Sequence, residues 1–207
     1  MAFLQDWVQR GSSSERIQWA LTRSYPRAPR PAQGPFRWFA RRGQTAASDH
    51  LFFSVRSVVA AGGRHILQYG FADDRGNIVL SVFGQAATPA GDWHCAPPED
   101  LAAEPMEPHA LSQLIGAVCR DAALVGFHRV LQGALFPPGA IEGAASVDCA
   151  WRRYLRVTRQ RDGVGRNEPL GLDDALEAIG IGAVGTPDAA LRALGVRELW
   201  SWMDAVE

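Results

Sequence analysis

The fold of this chain is decided between Leu51 and Phe83, in the stretch LFFSVRSVVAAGGRHILQYGFADDRGNIVLSVF. Residues 51–59 are rich in β-branched and aromatic side chains, which favour strands, and Gly62-Gly63 ends them. The runs at 65–71 and 78–83 have the same character, and Asp73-Asp74-Arg75-Gly76 between them is typical of a turn joining antiparallel strands. The sequence therefore predicts a three-strand antiparallel meander.

Size and composition indicate one sizeable core. The chain has 207 residues, 47% of them hydrophobic, which suits one domain with only a small additional segment. No apolar run approaches the roughly 18 residues of a membrane span, and the first residues do not resemble a signal peptide. We therefore expect a cytoplasmic protein without a membrane partner. Cys95, Cys119 and Cys149 are too widely spaced to indicate a disulfide framework or a C-x-x-C metal site.

Charge is unevenly distributed along the chain. Residues 1–43 contain eight arginines against Asp6 and Glu15, which gives +6, so a total of −1 leaves −7 for the remainder. All 21 basic residues are arginine. A GC-rich genome would produce this bias, and so would selection for the bidentate phosphate contacts that guanidinium groups make.

The first 43 residues form a leader with its own character. Helices are predicted over 1–10 and 15–25, followed by a proline-rich linker over 26–35 and the run Phe36-Arg37-Trp38-Phe39-Ala40-Arg41-Arg42. Bases can stack on Trp38 while Arg37, Arg41 and Arg42 neutralise phosphates. Alternatively, the aromatic residues pack the leader against the domain at 50–207, or the leader binds a protein partner.

The remainder of the chain alternates helical and strand patterns. A long loop is predicted over 86–106, a helix over 108–121 and a buried strand over 123–127. Further helices are predicted over 152–161, 170–181, 187–194 and 196–206. The helix at 152–161 is basic. Arg153, Arg156 and Arg159 share a face by their spacing of three, which is either solvated or phosphate-binding, and Arg152 is a further candidate phosphate contact. The order of elements predicts an α/β domain.

Six positions of the meander resemble the DEDDh-type 3′–5′ exonucleases, the family of the proofreading subunit of bacterial replicative polymerases. They are Ile66, Gln68, Gly70, Asp74, Gly76 and Val79, which follow the order of a family run resembling I-x-x-I/L-G-x-x-x-x-D-x-x-G-x-V. Gln68 falls at a variable position of that run, and the spacing after Gly70 differs from it. Residues 124–132 similarly resemble the family's L-V-A-H-N-x-x-F-D segment, and 183–189 its H-x-x-x-x-D-A segment. The resemblance implies a ribonuclease-H-like mixed sheet, in which parallel strands continue the antiparallel meander and helices flank both.

The same resemblance places other residues where the family has its catalytic groups. The carboxylates of the first-strand D-x-E motif are replaced by Ser54 and Arg56, and a third carboxylate by Gln132. Ala183 stands at the general-base histidine, and Asp188 keeps the last metal-ligand position. Cleavage by two metal ions needs several converging carboxylates. One aspartate is insufficient, so we expect no catalytic residue and no cofactor.

Arg56 would place a guanidinium where the family has a metal-facing carboxylate. It can pair with Asp188, because an unpaired buried charge is costly, or it can contact a phosphate. Asp188 is then only a weak candidate metal ligand. A register error of one residue would move Arg56 to the other face of the sheet.

Three functions remain open from the sequence. The first is a catalytically inactive, nucleic-acid-binding module that uses Arg56, the leader and the basic helix against DNA or RNA. The second is a regulatory module that binds a protein partner through residues 1–43. The third is an active exonuclease with relocated ligands, which would require Mg²⁺ or Mn²⁺.

Overall fold

A computed structural model describes residues 50–60, 65–85, 96–99, 105–128, 132–162 and 171–207. The predicted leader over 1–43, with its two helices and the candidate residues Arg37, Trp38, Arg41 and Arg42, lies outside the described residues. No helix in the described ranges is both long and apolar enough to cross a bilayer.

A mixed sheet forms the centre of the described structure. Its strands are β1 His50–Ala60, β2 His65–Asp73, β3 Ile78–Gln85, β4 Ala96–Glu99, β5 Ala123–Gly126 and β6 Ser146–Cys149. Neighbouring strands follow the order β3-β2-β1-β5-β6, and β4 pairs with β1 outside this path. The pairs β1–β2 and β2–β3 are antiparallel, whereas β5 is parallel to both β1 and β6. This confirms the predicted α/β class, the meander and its continuation by parallel strands.

The turn between β2 and β3 is held by the buried carboxylate of Asp73. Its Oδ1 accepts hydrogen bonds from the backbone N–H groups of Arg75 and Asn77, at 3.0 and 2.7 Å. Gly76 adopts a φ of +81°, which glycine reaches without strain. The predicted turn is therefore confirmed, and it fixes the register of the hairpin.

Two predictions about element boundaries are wrong. The segment 86–106 is not only a loop, because Ala96–Glu99 forms β4, a proline-containing strand paired in parallel with β1. The two helices predicted at 187–194 and 196–206 are one helix, and Gly195 does not interrupt it. A Cβ at Gly195 would lie 2.6 Å from the Val184 side chain, so glycine is there for close packing and not as a helix end.

Helices cover both faces of the sheet. They are α1 Pro108–Cys119, α2 Ala150–Asp162, α3 Leu172–Ala178 and α4 Ala189–Val206. Successive side chains of β1 point to opposite faces of the sheet and so belong to two separate cores. Phe53 packs with Leu111 and Ile115 of α1 on one face. Phe52 points to the other face and packs with residues of α2, α3 and α4. The sheet is therefore a middle layer between α1 and the other three helices.

The first turn of α4 touches strand β2 directly. A Cβ added to Gly70 would lie 2.2 Å from the backbone C of Ala189 and from the N of Ala190. No side chain fits between the two backbones, so glycine at this position sets the distance between α4 and the sheet.

We expect Gly70→Ala to lower the free energy of unfolding by about 3 kcal/mol or more, because the new methyl group can only be accommodated by shifting α4. Gly143→Ala is the matched control, since a Cβ there meets nothing within 4 Å. It should change stability by less than about 1 kcal/mol. Urea unfolding of both variants checks the expectation, and equal stabilities would contradict the proposed contact.

Candidate functional site

Strand β1 presents Ser54 and Arg56 to the face of the sheet that α4 covers. They alternate along the strand with Phe53 and Val55, whose side chains point to the opposite face and pack in the core beneath α1. In the β1–β2 register, Ser54 lies opposite Gly70 and Arg56 opposite Gln68. Ser54 is buried and Arg56 is partly buried. Ser54 and Arg56 therefore lie on the same face of the sheet.

Gln68 is the centre of a polar cluster on this face. Its side chain is 2% exposed, and its Oε1 accepts hydrogen bonds from Arg56 Nε and, at 3.1 Å, from the backbone N–H of Ala189. Its Nε2 donates to Asp188 Oδ2 at 2.9 Å and to Ser81 Oγ at 3.2 Å. Two donors and two acceptor positions are the full capacity of a primary amide. The buried amide is thus completely satisfied.

Asp188 begins helix α4. Its Oδ1 accepts hydrogen bonds from the backbone N–H groups of Ala190 and Leu191 at 2.9 and 3.0 Å, which is the geometry of a helix N-cap. Its Oδ2 accepts from Gln68. A negative charge here is also favoured by the helix dipole. The carboxylate therefore has a structural role that does not depend on a metal.

Arg56 and Asp188 are linked through Gln68. The guanidinium donates to one end of the amide, and the other end of the amide donates to the carboxylate. The sequence favours a pairing of Arg56 with Asp188, and in the structure Gln68 hydrogen-bonds to both side chains. A direct ion pair between them stays a prediction.

The other two family positions contribute neither a carboxylate nor an imidazole. Gln132 follows β5, and its Oε1 is buried without a hydrogen-bond partner among the described residues. Ala183 is partly buried in the loop before α4, next to Gly182 with a φ of +89°. In the described ranges, no group of three or more His, Cys, Asp or Glu side chains is arranged to hold a metal ion.

The role of Gln68 was missed from the sequence. The family pattern leaves its position variable, so the resemblance gave it no function. One signal was present, because a lone amide in the apolar run at 65–71 must find partners if that strand is central. Which partners it finds depends on α4, more than a hundred residues later in the chain.

The candidate phosphate-binding arginines of α2 have different surroundings. Arg152 and Arg156 are exposed, and Arg159 is exposed one turn further along. The Arg153 side chain is only 13% exposed. It therefore differs from the rest of the predicted basic face.

Arg153 contacts the last turns of α4. Its Nη2 lies 2.7 Å from Asp204 Oδ1 and also donates to Glu207 Oε2, while its guanidinium lies 4.3 Å from the centre of the Trp200 ring. Burial alone would lower the pKa of Arg153, but the hydrogen bonds to Glu207 and Asp204 raise it. The hydrogen bond from Arg153 in turn lowers the pKa of Glu207. Both groups are charged at neutral pH, and phosphate would have to displace these carboxylates to reach Arg153.

Comparisons of the chain with protein-family models, with curated proteins and with solved structures found no match. The exonuclease resemblance therefore rests on the residues of this sequence alone.

We expect Gln68→Met to lower the free energy of unfolding by about 2–4 kcal/mol, because the apolar side chain leaves buried partners of the amide without hydrogen bonds. Gln85→Met is the control, since Gln85 makes an exposed hydrogen bond to Glu107. It should cost less than about 1 kcal/mol. Denaturant unfolding of both variants measures the difference, and equal costs would show that Gln68 does not organise the cluster.

Proposed function

We propose that this chain is a catalytically inactive, exonuclease-like domain that binds nucleic acid. The observation that carries the proposal is the bonded chain Arg56–Gln68–Asp188, which occupies the face where a nuclease of this family would gather its carboxylates. A guanidinium there repels divalent cations, and the remaining carboxylate caps a helix.

The sheet supports the inferred relationship. An antiparallel meander continued by parallel strands and flanked by helices agrees with the ribonuclease-H-like arrangement that the resemblance implies. Asp188 begins the last helix beside β2, and Gly70 allows that close approach. Asp188 stands at the position that the resemblance gives to the last metal ligand, so the proposal is that the catalytic groups are replaced while the sheet arrangement is kept.

The proposed nucleic-acid-binding surface is the positively charged, exposed side of α2. Arg152 and Arg156 are exposed on α2, which packs against α4 on the same side of the sheet as the polar cluster. Exposed guanidinium groups bind phosphates through charge-assisted hydrogen bonds and release counterions from the nucleic acid. The leader residues Arg37, Trp38, Arg41 and Arg42 are proposed to add further contacts.

The proposal is tested by titrating the full chain against fluorescently labelled single-stranded DNA, duplex DNA and RNA, with Mn²⁺ or with EDTA. We expect anisotropy to report binding that weakens steeply with salt, and a denaturing gel to show strands of unchanged length. Metal-dependent shortening would contradict the proposal and indicate an active exonuclease with relocated ligands. Intact strands without binding would favour the protein-interaction function instead.

We expect Arg152→Ala/Arg156→Ala to weaken binding and to reduce the slope of log affinity against log salt by about two, one for each lost phosphate contact. The control is Arg75→Ala/Arg120→Ala, which removes the same charge from two exposed positions outside α2. If the control reduced the slope equally, net charge and not the α2 surface would explain binding.

A further inference from the structure

The basic surface of α2 is partly covered by acidic residues of the same chain. Asp204 and Glu207 lie at the end of α4, and both contact the guanidinium of Arg153. Asp204 is 58% exposed and Glu207 37% exposed, so these carboxylates reach Arg153 from the solvent side of the interface. Arg156, one turn further along α2, also lowers the pKa of Glu207 through its charge.

The geometry at Arg153 is that of an occupied anion site. Glu207 presents both oxygens to Nε and Nη2 of the guanidinium, and Asp204 adds a third oxygen. This fork of donors would bind two phosphate oxygens in the same way, because guanidinium groups bind carboxylate and phosphate with the same bidentate arrangement.

Trp200 adds an aromatic face to the same place. The guanidinium of Arg153 covers its ring at 4.3 Å from the centroid, and the ring of His50 lies 5.9 Å away. An indole ring is a favourable surface for stacking an unpaired base. Movement of Arg153 toward a phosphate would uncover this ring next to the phosphate it binds.

We propose that Asp204 and Glu207 act as an intramolecular competitor of the nucleic-acid backbone. The two carboxylates occupy Arg153 until a phosphodiester displaces them. The inference rests on the proposed nucleic-acid binding of α2 and adds its regulation. The two carboxylates are exposed to solvent, so breaking their contacts with Arg153 costs less than breaking a fully buried ion pair. While the two carboxylates occupy Arg153, the chain binds nucleic acid more weakly than it would with Arg153 free to contact phosphate.

The test compares four forms of the full chain in anisotropy titrations with a labelled single-stranded DNA in EDTA. Asp204→Asn/Glu207→Gln removes the two competing charges. Asp121→Asn/Glu142→Gln is the matched control, because it removes the same charge from two exposed residues on the α1 side of the sheet. The third form is the wild-type chain, and the fourth adds Arg153→Gln to the first variant.

We expect the Asp204→Asn/Glu207→Gln variant to bind about 3- to 10-fold more tightly than wild type, with a salt slope about one unit steeper from the added contact at Arg153. The control should change affinity by less than about twofold at moderate salt, where distant charges are screened. Adding Arg153→Gln to the first variant should remove most of the gain.

The outcomes separate the inference from the function on which it rests. Wild-type binding with no gain in the Asp204→Asn/Glu207→Gln variant, or with an equal gain in the control, would overturn the competitor and leave the binding function standing. Absence of binding by all forms would overturn both. Binding by that variant alone would support the competitor in its strongest form.

Discussion

The close approach of helix α4 to strand β2 determines the rest of this structure. Gly70 removes the side chain that would separate the two backbones, and the buried amide of Gln68 satisfies the N–H group of Ala189 that this approach takes away from water. The same amide bonds to β1 and β3, so one side chain connects the meander to the helix. A buried polar group is stabilising only when all its hydrogen-bond partners are in place, so this cluster permits only one position of α4 against the sheet.

The cluster also limits the chemistry that the face can perform. Asp188 directs its oxygens to helix N–H groups and to Gln68, and Arg56 brings positive charge to the same amide. These contacts organise the start of α4 without any metal ion. These contacts and the exposed arginines of α2 are the features on which the proposed binding of an anionic polymer depends.

Features that depend on neighbouring residues could be predicted from the sequence, whereas features that depend on contacts between distant parts of the chain could not. The meander followed from strand-forming runs and the turn at Gly76, and both are confirmed. A glycine in a helical pattern predicts a boundary, so the sequence places a helix end at Gly195. The reason for this glycine is its packing against Val184, a tertiary contact that no local pattern reports. Gln68 was missed for the same reason, and β4 because its prolines favour a loop unless a neighbouring strand is known. Arg153 was grouped with its exposed neighbours by spacing, although α4 covers it.

The central claim is that α2 binds nucleic acid and that the chain does not cut it. Backbone hydrogen exchange of the full chain with and without single-stranded DNA tests this claim most directly. The account predicts slower exchange in α2 on addition of the oligonucleotide, unchanged exchange in α1 on the opposite face, and full recovery of uncut oligonucleotide with Mg²⁺ present. Protection confined to another surface, no protection at all, or shortened oligonucleotide would contradict it.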